Sequence, residues 1–419
     1  MRVAHFIHRY PPAVGGSEAY FARLSRYLVE QGDAVTVHTT TALDLEAFWD
    51  RHGRQTAAGC EVIEGVTVVR HRLWHLPLAH RYVFKALSLV PVPRWQAVTV
   101  PFNPYAPGLW NAGRDTPVDL VHASAFPYSF PLVCSRRLAR RQGCRSCSRS
   151  STPAIPMTPP TASAALHHAG AATAGAVRRP AVRADRGRTL GVLERGVPAE
   201  RLVLQGLGVD LPSCTGGDRA RARQGWNVPP DAVVIGHLAN NSVEKGSVDL
   251  LQAAARAWET GARWTMVLAG PEMPNFRAFW ERFEPRGRVV RCGVLTEEQK
   301  RDFFAGIDLF ALPSRSDSFG LVLPEAWANG VPCVGYRAGG VAWVIRDGVD
   351  GMLVRCGDVA ALSDALTRLA ADADLRRRLG EAGRARVDRD FAWPDRLAVV
   401  RDVCRTLVGE WRKRNTPER

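Results

Sequence analysis

The sequence predicts an α/β protein built from two parallel-sheet domains, and three observations carry that expectation. The first 40 residues run strand, glycine loop, helix, strand. A second region with the same grammar begins near Ala232. The length, 419 residues, leaves room for two or three domains at about 150 residues each. Hydrophobic residues make up 46% and charged residues 23%, an ordinary globular balance that excludes a wholly disordered chain, a collagen-like fibre and a small disulfide scaffold. No apolar run approaches the roughly 18 residues of a membrane span. The opening MRVAHFIHRYPP is interrupted by Pro11 and Pro12 and reads as a first strand rather than a leader peptide.

Val3 to Ile7 has the short apolar run of a buried strand. Tyr10 to Gly16 is punctuated by Pro-Pro and Gly-Gly and predicts a loop. Ser17 is placed to cap a helix, with Glu18 in its first turn. Tyr20, Phe21, Leu24, Tyr27 and Leu28 then recur at helical spacing, Gly32 ends the helix, and Ala34 to Thr39 is the next strand. Strand, helix and strand at this spacing make a βαβ unit. Further strands fit Val66 to Arg70 and Leu120 to Ala123. Residues 77–117 hold Pro, Trp, Tyr and Phe with little period and read as a long surface insertion in preference to an acceptor-facing or membrane-touching loop. In the second region AVVIGHL is a strand, Ser247 to Trp258 a helix, and WTMVLAG, VVRCG and IDLFALP further strands. Two such regions imply two Rossmann-like domains with a cleft between them: residues 1–205, residues 206–390, and a last helix in 391–419 that crosses back to the first domain.

The formal net charge is +15, and Arg outnumbers Lys 52 to 4. No basic helix is interleaved with aromatics, so the charge does not point to nucleic acid. Nine cysteines, an odd number without an export signal, fit reduced cytosolic thiols. Cys144 and Cys147 form one CxxC, but a structural zinc site wants four ligands and no second pair exists, so no metal is expected. Residues 143–189 stand apart: seven Arg, one acid (Asp185), no Phe, Tyr, Trp or Lys, and neither strand nor helix period. Such a stretch cannot bury a core. Two readings stay open for it. One is a disordered insertion. The other is a displaced reading frame, in which codons for Cys144 onward can be chosen to give VPFLLTQFHTGDPDDP and those for Ala181 to Arg186 to give LFVQT.

The stretch Pro313 to Pro332, PSRSDSFGLVLPEAWANGVP, carries the most chemistry. Asp317 and Glu325 are separated by seven residues, and Phe319 and Gly320 fall at a strand-to-helix junction. A glycine there lets backbone amides approach a phosphate. Glu325 can accept two hydroxyl hydrogen bonds, as a ribose diol requires, and Asp317 can do the same for a sugar ring.

This stretch resembles the E-x7-E signature of retaining glycosyltransferases of family 4, which have the GT-B fold. Five other motifs match in the same order. PPAVGGSEAYFARLSRYLVEQGDAVTVHT is similar to the family's N-terminal glycine motif, with Gly15 and Gly16 beside the donor phosphates. DLVHA resembles its strand ending in a histidine, here His122. Gly208, Val209 and Asp210 resemble its G-V-D, Glu244-Lys245-Gly246 its K-G pair, and Ala338-Gly339-Gly340 its second glycine turn. The resemblance covers residues 1–142 and 190–405. It implies a nucleotide-diphosphate sugar donor and a hexose-type sugar transferred with retention to a glycan or lipid-linked acceptor. No metal or other cofactor is required. His122, Lys245, Asp317 and Glu325 would be the catalytic residues. Gly15, Gly16, Lys245, Phe319, Gly320, Leu321, Glu325, Gly339 and Gly340 would hold the donor. A cytoplasmic placement, with peripheral contact at the inner face of the membrane, goes with such chemistry.

Three departures from the family pattern stand out. Asp317 replaces the commoner Glu, with one methylene less reach. His237 stands near the place of an Arg, which leaves Lys245 to carry more of the phosphate charge. Trp343 stands near the place of an acid after the second glycine turn. Two alternative functions stay open: a GT-B nucleotide-sugar epimerase or hydrolase, and a product that binds nucleotide without turnover. A nicotinamide dehydrogenase is disfavoured, because GxGxxG does not follow the first strand.

Overall fold

The computed structural model describes residues 1–75, 105–124, 129–142, 145–150, 181–183, 202–317 and 319–415. The chain forms two compact units, Met1–Gln205 with Leu397–Arg419, and Gly206–Arg396.

Among the described residues the first unit holds an eight-stranded sheet: β1 (Arg2–Phe6), β2 (Ala34–Thr40), β3 (Gly59–Ile63), β4 (Val66–His71), β5 (Leu120–Ser124), β6 (Arg145–Ser150), β7 (Ala181–Arg183) and β8 (Leu202–Leu204). Their order is β3-β4-β2-β1-β5-β6-β7-β8. Only the β3–β4 pair is antiparallel among the pairings whose direction is described. Those two strands are joined at Glu64 and Gly65, both with positive φ, the two-residue turn whose twist suits a hairpin. The helix Gly16–Glu30 crosses from β1 to β2 and buries Tyr20, Phe21, Leu24 and Leu28. Its cap is Gly15, not the expected Ser17, whose hydroxyl instead donates to Glu18.

One expectation is corrected here. Residues 105–112 are not surface loop, because Ala106, Leu109 and Ala112 are buried in the core under β1 and β5. Apolar side chains on the short helix Pro107–Trp110 fill that space, which the irregular period of the stretch hid. Within residues 143–189, β6 and β7 are strands. The backbone of β6 pairs with β5 from Leu120↔Arg145 to Ser124↔Arg149. RSCSRS has no strand pattern, so its place after a crossover helix, not its residues, makes it a strand. The rest of 143–189, and residues 76–104 of the insertion, lie outside the described residues.

The second unit holds six strands: β9 (Val234–Leu238), β10 (Thr265–Ala269), β11 (Val289–Gly293), β12 (Leu309–Leu312), β13 (Cys333–Tyr336) and β14 (Gly351–Val354). The order is β11-β10-β9-β12-β13-β14, every pair parallel. Apolar cores line both faces, as a doubly covered parallel sheet requires. From β9 the chain winds outward through β10 and β11, then returns to β12 beside β9 and winds the other way. That reversal puts a topological switch point between β9 and β12, the place where open α/β sheets bind ligands. The helix Glu297–Gly306 precedes β12 and lies close on the sheet: a Cβ on Gly236 of β9 would fall 2.7 Å from the Phe303 ring.

Candidate functional site

The loops leaving β9 and β12 flank the switch point, and they are bound together by backbone. The Arg315 amide donates to the Glu244 carbonyl at 2.9 Å. Gly246 has φ +76, and a Cβ there would lie 1.9 Å from the Pro313 carbonyl oxygen. Only glycine fits that left-handed position against a neighbouring backbone. Gly246 then caps the helix Ser247–Glu259.

This lock sets Lys245 against the signature. The Lys245 Nζ lies 2.6 Å from Asp317 Oδ2. The other carboxylate oxygen, Oδ1, accepts the amides of Phe319 at 3.2 Å and Gly320 at 2.9 Å. Burial pushes the Asp317 carboxyl up, but the Lys245 ammonium and the two amides outweigh it and hold it below the usual range. The Gly320 amide expected to meet a phosphate therefore holds an internal carboxylate. Gly320 has φ +71 and leads through Leu321 into the helix Val322–Ala328, while the Phe319 ring is buried in the core.

The second glycine turn joins this cluster. The Gly340 amide donates to the Asp317 carbonyl at 2.7 Å. A Cβ on Gly339, which has φ +51, would fall 2.7 Å from the same oxygen. The structure thus brings together Lys245, Asp317, Gly320, Gly339 and Gly340. Trp343 follows on the short helix Val341–Val344 and is 47% exposed.

Glu325 has a different partner. Its Oε1 accepts from Lys300 Nζ at 2.6 Å, a residue that the sequence reasoning missed. Burial pushes the Glu325 carboxyl up, Lys300 counters in part, and Asp210 adds to the rise. Asp210, from the G-V-D motif, thus acts on the signature's second acid. Rarity was the available signal for Lys300: two of four lysines pair with Asp317 and Glu325 in a chain of 52 arginines.

His237 supplies no cation here. Its ring is fully buried, with Nδ1 at 2.8 Å from the Ala311 carbonyl and Nε2 at 2.9 Å from Ser247 Oγ. Burial depresses its pKa to about 4, with Lys245 also pushing down, so the ring is neutral.

In the first unit the expected residues split. Gly15 and Gly16 open the helix after β1, but Glu18 fills the loop: a Cβ on Gly15 would fall 2.2 Å from its Oε2. Glu18 is buried and bonds Arg9 at 2.8 Å and His8 at 3.3 Å. Burial opposes ionisation, yet His8, Arg9 and the residue's own amide bring Glu18 down to about 2. His122 is not the last residue of its strand. It lies in the middle of β5, 1% exposed, with its ring 5.1 Å from His5 and 5.0 Å from Phe21. The ring packs against His5 and Phe21 under the helix Gly16–Glu30. Among the described residues no His, Cys, Asp and Glu cluster has metal-binding geometry. The side chains of Cys144 and Cys147 lie outside the described residues. No described helix is long and apolar enough to cross a membrane.

Solved structures with this architecture define the class. The chain superposes on sucrose-phosphate synthase from Thermosynechococcus elongatus with a TM-score of 0.73 at 19% identity, covering 98% of this chain and 99% of that one. It superposes on Anabaena HepE in complex with UDP with a TM-score of 0.69 at 17% identity, covering 98% and 100%. These likenesses show the fold: α/β, with the two Rossmann-like domains of the GT-B class. The family enters through the second unit. Residues 218–386 match the family described as Glycosyl transferases group 1. In sequence, the chain is 32% identical over 175 residues to N-acetyl-alpha-D-glucosaminyl L-malate synthase of Bacillus anthracis, covering 42% of this chain and 45% of that protein. The chain thus spans about half the length of the curated relatives it matches.

Proposed function

We propose that this protein is a retaining, metal-independent glycosyltransferase that moves a hexose-type sugar from a nucleotide-diphosphate sugar to a glycan or lipid-linked acceptor. The observation that carries the reading is the Lys245–Asp317 pair on the two loops at the switch point, inside the segment that matches group 1 glycosyl transferases. The Anabaena neighbour was solved with UDP, which supports a nucleoside diphosphate as the leaving group.

Breaking the bond from sugar to diphosphate leaves negative charge on the phosphate oxygens. Lys245 is placed to neutralise that charge, and His237, neutral in the core, does not share the task. A phosphate that enters competes with Asp317 for Lys245 and for the Phe319 and Gly320 amides. Donor binding then frees Asp317 to turn its oxygens to sugar hydroxyls. Glu325, with one oxygen on Lys300, offers the other to the ribose. Electrostatic stabilisation of this kind needs no enzymic nucleophile. Peripheral association with the inner face of the membrane would bring the site to a lipid-linked acceptor.

The test is turnover. Purified protein is incubated with UDP-, GDP- and ADP-hexoses and a panel of glycan and lipid-linked acceptors, with EDTA present, and the product anomer is read by NMR. Transfer with retention is expected. Free sugar or an epimerised donor as the only product would overturn the reading in favour of a hydrolase or epimerase.

A further inference from the structure

We propose that Lys300 is a positioning residue for the donor site: it holds one oxygen of Glu325 and leaves the other directed to the ribose hydroxyls of a nucleoside diphosphate. The inference rests on the proposed function above and adds to it a residue outside the signature.

The geometry begins with the helix Glu297–Gly306. Its start is fixed by a capping box in which Thr296 and Gln299 satisfy each other's amides. Its inner face is fixed by buried Phe303 and Phe304, and Gly236 lets it approach the sheet. Lys300 projects from this rigid helix to Glu325 Oε1 at 2.6 Å, the side chains 27% and 14% exposed. Glu325 Oε2 is buried and has no hydrogen-bond partner among the described residues. A buried carboxylate oxygen without a donor costs free energy. The natural occupant is a ligand that brings hydroxyl donors.

Among the described residues Lys300 is the cation that bonds Glu325. Asp210 and Cys214 face it from the short helix Leu211–Cys214 and the residue before it. Asp210 is an acid, and burial pushes the Cys214 thiol up to about 12, so it stays neutral. Cys333 on β13 is likewise pushed well up by burial, and β12 is apolar. On the helix Ala373–Asp390, Arg386 is committed to Asp350 and to the Val344 carbonyl.

The choice of lysine has a physical reason. An arginine fork engages both carboxylate oxygens, whereas an ammonium is a point donor that can engage one. A chain with 52 arginines and 4 lysines uses lysine at Glu325, where one oxygen has to stay available.

The test titrates wild type, Lys300→Met and Lys300→Arg with UDP and with 2′,3′-dideoxy-UDP between pH 6 and 9. GDP and ADP and their dideoxy forms are used if wild type prefers them. Wild type should lose about tenfold or more in affinity when the ribose hydroxyls are removed. Lys300→Met should lose a similar factor for the hydroxylated ligand near pH 6 and regain it toward pH 9. Burial and Asp210 then act unopposed on Glu325, which ionises only as the pH rises. Lys300→Arg should also bind weakly, at every pH, and should no longer distinguish the dideoxy ligand. A merely structural role would be met by Arg and would show neither effect. If Lys300→Met does not fold, Lys300→Arg carries the test, because it keeps the charge. Wild-type discrimination retained in Lys300→Arg overturns the inference and leaves the proposed function standing. No binding of UDP, GDP or ADP by wild type overturns both.

Discussion

Replacing Lys245 by Ala separates what this residue does for the fold from what it does for a ligand. In the free protein it faces Asp317 with its side chain 30% exposed and that of Asp317 15% exposed. Solvent reaches the ammonium more than the mostly buried carboxylate, so loss of the pair should cost the fold about 1–2 kcal/mol. Asp317 keeps the Phe319 and Gly320 amides, so no bare charge is left behind. For a bound diphosphate the sum differs, because a charge-assisted hydrogen bond is lost outright. That costs about 1.5–3 kcal/mol, or about 10- to 150-fold in Kd. Calorimetric titration of the variant, of Glu325→Ala and of wild type with UDP-, GDP- and ADP-sugars measures the second term, and urea unfolding measures the first. Unchanged affinity in both variants would remove these residues from the donor site. A stability loss above about 3 kcal/mol in Lys245→Ala would instead make the pair structural and refute the separation.

The lock between the two loops predicts that Gly246→Ala costs about 1–3 kcal/mol from backbone strain alone and lowers nucleotide affinity by moving Lys245, which unfolding curves and titration would both show. Breaking the buried network in the first glycine loop with Glu18→Gln should cost about 3–5 kcal/mol at pH 7. Held near 2 in the fold, Glu18 contributes stability that is present above its ordinary 4.5 and is lost as pH falls toward 2, so the gap between variant and wild type should narrow in acid. Burial, joined for His38 by His71, holds these two rings at about 3 and about 4, and burial with Lys245 holds His237 at about 4. The unfolded chain therefore takes up protons first, and stability should be full above about pH 6.5 and fall below it by about 1.4 kcal/mol per pH unit for each ring. Urea midpoints at pH 7.5, 6 and 5 test this, and His237→Gln should flatten the slope.

The sequence by itself determined the α/β class, because apolar strand runs alternate with helical periods and glycine punctuation in both halves of the chain. It also picked out residues of the second unit that the fold brings together. Lys245, Asp317, Gly320, Gly339 and Gly340 were legible through motif spacing, and at Gly320 and Gly339 the positive φ favours glycine. It did not reveal β6, whose RSCSRS run has no strand pattern and becomes a strand only because β5 offers a free edge. It placed His122 at a strand end, whereas the β1–β5 register carries it beside His5 inside the sheet. Nor did it find Lys300, because the partner of Glu325 comes from a helix 25 residues away in sequence, and only the packing of that helix on Gly236 closes the distance. Local conformation is encoded locally, and periods and turn residues report it. Which carboxylate meets which ammonium depends on strand order and helix packing, which sum many weak contacts over the whole unit and leave no local mark.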